Sequence, residues 1–332
     1  MRFVGAMRFM RPMRLAALVM GLAIGLAICE FGVRLAGLRP PPRDIDLRSA
    51  EYYPLEKNNA GFHDRDWSRA KPADTYRVIA LGDSFTMGTM IPLEELFVKR
   101  AERALNERAK GPGRYEIMNL AFVGWDTSRE LRALKEIGLA YAPDAVLVVF
   151  YVNDATGLDS NPRIIRQLNA YVNERDGWLN HWSRAWDYAD YLLRRRRVTK
   201  RTLADYHRSF FGSEEQQVQW QRSKQALTEL KAMSDRRGFR VGVVIFPMLI
   251  DLGRSHALSD IYELVEAHCE TLGIPTLNLL PEYRGHTPES LWVSPSNAHP
   301  NVTANRIAGA AIEKFLVAAS LVPDPDGEGW ER

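Results

Sequence analysis

The chain has 332 residues, 46% of them apolar and 26% charged. This is the balance of a folded protein with room for one large α/β domain and extras, but not for three ordinary domains. A formal net charge of +3 is too small to indicate a nucleic-acid partner. The two cysteines, Cys29 and Cys269, form neither a disulfide framework nor a zinc ligand set, so no metal and no cofactor is expected.

The first element decides the compartment. Leu15 to Cys29 is an unbroken apolar run preceded by Arg2, Arg8, Arg11 and Arg14. With Phe31, Val33, Leu35, Ala36 and Leu38 it reaches roughly 20 residues, enough to span a bilayer core. The basic flank predicts a cytoplasmic N-terminus and a translocated remainder. A cleaved signal peptide and a buried soluble helix are the rivals. No small-x-small cleavage site follows the run, and Ile28 is bulky for lipoprotein processing at Cys29. Glu30 and Arg34 sit four apart on one helical face, where they can partly neutralise each other.

Residues 1–38 therefore read as basic flank and anchor, and 39–75 as a linker that opens on Pro40-Pro41-Pro42. Residues 76–320 read as the main domain, with a helical insertion over 157–213, and 321–332 as a polar tail. Within the domain, Val78–Leu81 predicts a buried strand ending at Gly82, and Leu93–Ala109 a helix. Tyr115–Ala121 and Ala145–Tyr151 predict strands on either side of a helix over Ser128–Leu139. Later come helices over Gln216–Arg237, Ile261–Leu272 and Thr303–Val317, with strands at Val241–Phe246 and Thr276–Leu279. Apolar strands alternating with helices indicate an α/β fold, a parallel sheet covered on both faces. In the insertion, Trp178, Trp182 and Trp186 recur at helical spacing. They read either as packing against the domain or as a lid or sugar-stacking surface. Arg194–Arg197 reads as a solvated face, or as a contact for anionic headgroups or an acidic polymer.

Four places carry chemistry. The first strand ends in Gly82-Asp83-Ser84-Phe85-Thr86-Met87-Gly88, with Ser84 at a strand-to-helix turn, where N–H groups and the helix dipole favour negative charge. The second glycine of the Gly-x-Ser-x-Gly elbow is missing, as is the Lys-Ser/Thr of a phosphate-binding loop. Gly124 follows the second strand, Asn153 the third, and His299 lies between the last strand and the last helix. All four fall at the carboxyl ends of strands, where open parallel sheets bind ligands. Acyl transfer needs a nucleophile, a base and oxyanion donors. Ser84 and His299 fit the first two roles, and Ser84 N–H, Gly124 N–H and the Asn153 amide fit the third.

These segments resemble the SGNH, or GDSL-type, hydrolase family. Its four named residues fall in order on Ser84 in GDSF, Gly124 in NLAFVG, Asn153 in YVND and His299 in NAHPN. The resemblance runs from about Arg77 to Val317. It implies a flavodoxin-like three-layer α/β/α sandwich and metal-free ester hydrolysis or acyl transfer on substrates from lipids to acetylated carbohydrates. An anchored member is expected to act on an acylated small molecule or polysaccharide of the cell envelope. Two positions depart from the family pattern. Tyr151 stands where glycine is common. Asn297 and Ser296 stand where an aspartate usually orients the histidine. That leaves a dyad, an asparagine-assisted triad, a distant carboxylate, or a binding module with weak or no activity. Asp83 is expected to tie its turn to backbone, and Asp154 to cap the helix after the third strand. Phe85, Trp125 and Tyr151 are expected to line the pocket.

Overall fold

The structure, a computed structural model, describes residues 12–40, 55–156, 172, 175–294 and 297–327. The basic flank, part of the linker, much of the insertion's first half, Ser296 and the last five residues lie outside the described residues. The chain divides into two compact units, Met1–Ile45 with Arg166–Thr199, and Asp46–Ile165 with Lys200–Arg332.

The larger unit is built on five parallel strands: β1 (Thr75–Gly82), β2 (Arg114–Ala121), β3 (Ala145–Phe150), β4 (Arg240–Ile245) and β5 (Thr276–Asn278). They run in the order β2-β1-β3-β4-β5. This is the flavodoxin-like doubly wound order, in which the chain reverses direction across the sheet between β1 and β3. The sheet interior is continuously apolar: Val78, Ile79, Ala80, Val146 and Leu147 are all 0% exposed, as expected of strands covered on both sides. One helix pair, α3 (Phe97–Arg108) with the closing helix (Val302–Ala318), and another, α4 (Thr127–Glu136) with the helix Val218–Arg237, supply the covering layers.

Three elements differ from the sequence expectation. The helix expected over Leu93–Ala109 begins as a separate 3-10 turn at Leu93–Glu95, broken by Leu96 in an extended conformation before α3. The expected Ser128–Leu139 helix ends at Glu136 and continues as a 3-10 turn, Gly138–Tyr141. The segment around His299, expected as connecting chain, is a two-stranded antiparallel hairpin, Trp292–Ser294 with Asn297–Pro300. A two-stranded hairpin leaves too short an alternation to be seen in sequence.

The smaller unit holds α1 (Pro12–Leu35), the short helix Trp178–Trp182 and the first part of the helix Arg184–Phe211. From Leu15 to Leu35, α1 is long and apolar enough to cross a membrane. The helical spacing of the tryptophans does not reflect one continuous helix, because Ser183, at φ −119° and ψ 116°, breaks it. Cys29 is exposed, Cys269 is buried and neither is bridged.

Candidate active site

Parallel pairing sets Gly82 of β1 beside Ala121 of β2, and Leu81 beside Val148 of β3. The chain leaving each of these strands therefore emerges at one edge, next to the point where the winding reverses. The segments that carry Ser84, Gly124 and Asn153 leave the sheet at that edge, and Asn153 reaches Asp83, the neighbour of Ser84. Gly82 is required where β1 leaves it: a Cβ there would lie 2.1 Å from the hydroxyl of buried Thr86. Gly124 has φ +70°, a conformation that costs other residues about 1–2 kcal/mol.

Ser84 opens α2 (Ser84–Met87), a single helical turn for which Asp83 is the N-cap; Asp83 Oδ1 accepts from Phe85 N at 2.8 Å. The helix dipole expected at Ser84 is thus reduced to one turn's worth. The turn is short because Gly88 follows in the left-handed conformation. The other carboxylate oxygen, Asp83 Oδ2, accepts from Asn153 Nδ2 at 2.9 Å. Asp83 therefore holds both the serine turn and the candidate oxyanion amide, and the second of these tasks was not legible in the sequence.

The hairpin delivers the base. Asn301, N-cap of the closing helix, donates from Nδ2 to the carbonyls of Ser290 (2.9 Å) and Trp292 (3.1 Å), pinning one end of the hairpin. His299 Nε2 lies 2.9 Å from Ser84 Oγ, and His299 Nδ1 lies 2.6 Å from Asn297 Oδ1. An amide oxygen only accepts, so Nδ1 carries the proton. Nε2 is then the bare nitrogen that accepts the Ser84 hydroxyl proton. Asn297 also accepts from the His299 backbone N–H at 3.1 Å and donates from Nδ2 to Met90 Sδ at 3.1 Å. Met90, unremarked in the sequence, thus orients the amide that orients the histidine. Burial lowers the His299 pKa to about 4, because a buried imidazole resists taking on charge.

Of the expected pocket residues, Phe85 and Tyr151 are buried. Their rings stack with centroids 4.0 Å apart, and the Phe85 ring lies 5.0 Å from that of His299. The imidazole rests on Phe85, which Tyr151 backs by stacking. Trp125 is half-buried and packs edge-on to Phe62. Asp154 sits third in the 3-10 turn Val152–Ala155, and its carboxyl accepts from N-cap Tyr151 N at 3.3 Å as one half of a capping box. Glu130 is fully buried, and neither of its carboxyl oxygens meets a donor among the described residues. Burial first, and then the neighbouring Asp83 and Asp126, push the Glu130 carboxyl well above the ordinary range. Burial, Glu130 and Asp83 do the same to Asp154. No group of three metal-ligating side chains occurs among the described residues.

No family model and no curated protein sequence matches the chain. Among solved structures it is similar to an acetyl xylan esterase (12% identity, TM-score 0.46, covering 73% of this chain and 100% of that one). It is also similar to a G-D-S-L family lipolytic protein from Desulfitobacterium hafniense DCB-2 (12%, 0.44, 72% and 99%). A third is LAE5, an alpha/beta hydrolase enzyme from the metagenome of Lake Arreo, Spain (14%, 0.45, 75% and 97%). Likeness at this level carries no activity across. The strand order and the contacts of Ser84, His299 and Asn297 stand on this chain's own geometry.

Proposed function

We propose that the chain is an SGNH-type serine esterase or O-acyltransferase that works through an acyl-enzyme. The observation that carries this reading is the line Ser84 Oγ, His299 Nε2 (2.9 Å), His299 Nδ1, Asn297 Oδ1 (2.6 Å). A histidine that only packs has no need of both contacts. In the first half-reaction Ser84 Oγ attacks the acyl carbonyl and its proton passes to His299 Nε2. The tetrahedral oxyanion faces the N–H groups of Ser84 and Gly124 and the Asn153 amide. Collapse expels the alcohol, which takes the proton from His299. Water then attacks the acyl-enzyme to give the acid, or a sugar hydroxyl attacks it to give a new ester.

Asn297 supports an asparagine-assisted triad. It fixes the tautomer and the ring as an aspartate would, but lends no charge to the imidazolium. The alternative, a binding module with weak or no chemistry, draws on that missing charge alone. In keeping with the apolar α1, we read the enzyme as membrane-anchored with its catalytic domain outside the cytoplasm, acting on an acylated carbohydrate or other envelope ester. The test is labelling by a fluorophosphonate probe and turnover of p-nitrophenyl acetate. Both are expected for the native chain and absent in Ser84→Ala; equal signals from the two proteins would refute the enzyme reading.

A further inference from the structure

The segment bearing Trp178, Trp182 and Trp186 is built inside out. Two of its polar side chains turn inward, while Asp176, His181 and Arg184 are exposed. Arg175 is buried and its Nε lies 3.0 Å from Asp187 Oδ1; Asn180, also buried, donates from Nδ2 to Asp187 (3.2 Å) and Asp190 (3.0 Å). Its tryptophans are uncovered, at 71%, 79% and 48% exposure. A surface element facing only water has the opposite arrangement. An apolar face held out by a fixed polar network marks a surface meant to be covered.

Its attachment to α1 says what covers it. Glu30 Oε2 accepts from Ser183 Oγ (2.8 Å) and Ala185 N (2.9 Å), and Glu30 Oε1 from Arg184 N (3.0 Å) and Arg34 Nε (2.5 Å). A side chain of the apolar helix thereby caps the helix Arg184–Phe211. Trp182 and Trp186 stand one residue to either side of this joint. At 1.5 Å per residue, Glu30 lies about 22 Å along α1 from Leu15 and about 8 Å short of Leu35. Across a hydrocarbon core of about 30 Å, that places the joint near one edge. A carboxylate there needs its donors supplied by protein, and Ser183, Arg184, Ala185 and Arg34 supply them. The edge is also where tryptophan concentrates, with its ring in apolar surroundings and its N–H among headgroups.

We infer that Trp178, Trp182 and Trp186 form an interfacial anchor that inserts into the headgroup layer of a lipid bilayer, beside α1. This rests on the reading of α1 as an uncleaved span. The test uses the full chain in phosphatidylcholine vesicles, with and without lipids brominated near the headgroup. Of the eight tryptophans, Trp67, Trp220 and Trp292 are buried in protein and report little. Bromolipid is expected to quench the native chain. Trp178→Phe/Trp182→Phe/Trp186→Phe, folded by circular dichroism, is expected to lose most of that quenching. On the unaltered protein, transfer from detergent into vesicles is expected to shield these rings from aqueous acrylamide. Intact mass and resistance to carbonate extraction report separately on α1. An intact, carbonate-resistant chain whose bromolipid quenching survives the triple substitution overturns the interfacial anchor and leaves the span standing. A shortened or extractable chain overturns both. Rings that respond to soluble acetylated oligosaccharide but not to bromolipid belong to a sugar surface, and that result also overturns the inference.

Discussion

Replacing Asn297 by aspartate tests the catalytic line most directly. The two side chains have the same shape, so Oδ1 stays 2.6 Å from His299 Nδ1 while a full charge replaces an amide dipole. A hydrogen bond to a charged group is worth about 1.5–3 kcal/mol against about 0.5–1.5 for a neutral one, so the imidazolium gains about 1–1.5 kcal/mol. At 1.36 kcal/mol per unit this raises the His299 pKa by about one, from about 4 to about 5. The same stabilisation in the transition state raises the plateau rate about tenfold. The gain stays far below the 10⁴ that separates aspartate from asparagine in a serine protease, because that loss reflects a flipped tautomer. Here Asn297 already accepts from Nδ1. One contact opposes the gain: the amide's bond to Met90 Sδ is lost and a carboxylate oxygen faces the sulfur.

The assay is kcat/KM for p-nitrophenyl acetate from about pH 3.5 to 9, whose acid limb reports the base in the free enzyme. The limb should move from about pH 4 to about pH 5 as the plateau rises. An unmoved limb with an unchanged or lower plateau would refute the assignment of Asn297 as the orienting residue. Folding must be checked at each pH. The unfolded histidine takes up its proton at about 6.5 and the native one only near 4, so stability declines as pH falls through that window.

Three further outcomes are expected. Asn153→Ala should lower kcat by about 10²–10³, the loss that follows removal of one oxyanion donor, with KM for p-nitrophenyl acetate little changed. Glu130→Gln should raise Tm at pH 8 and leave it nearly unchanged at pH 4. The native carboxyl is held protonated above its ordinary range, so its stability contribution is full below about pH 4.5 and is lost as pH rises. A gain of about 1 kcal/mol corresponds to about 2–4 °C. Gly82→Ala should cost about 1–3 kcal/mol in urea unfolding, because the new methyl meets the side chain of buried Thr86.

Local chemistry was legible in the sequence. The apolar strands, the glycines at their ends and the residues after them are each fixed by short-range rules of burial and backbone freedom. Ser84, Gly124, Asn153 and His299 therefore emerged as candidates before any contact was known, and the absence of aspartate near His299 was visible as a gap. Asn297 was one of several candidates to fill it, and the sequence did not choose among them. Whether Asn297 faces the imidazole depends on the hairpin Trp292–Pro300, which exists because Asn301 and the closing helix pin it. The grip of Asp83 on Asn153 spans 70 positions and is set by the register of β1 with β3. The tryptophans show the same division. Their periodicity lay in the sequence, but their outward face was decided by Arg175, Asn180 and Glu30, whose pairings join positions brought together only by folding. Sequence determined which groups are present and which backbone each can adopt; tertiary structure decided which of them meet, because hydrogen bonds and charges act over ångströms and not along the chain.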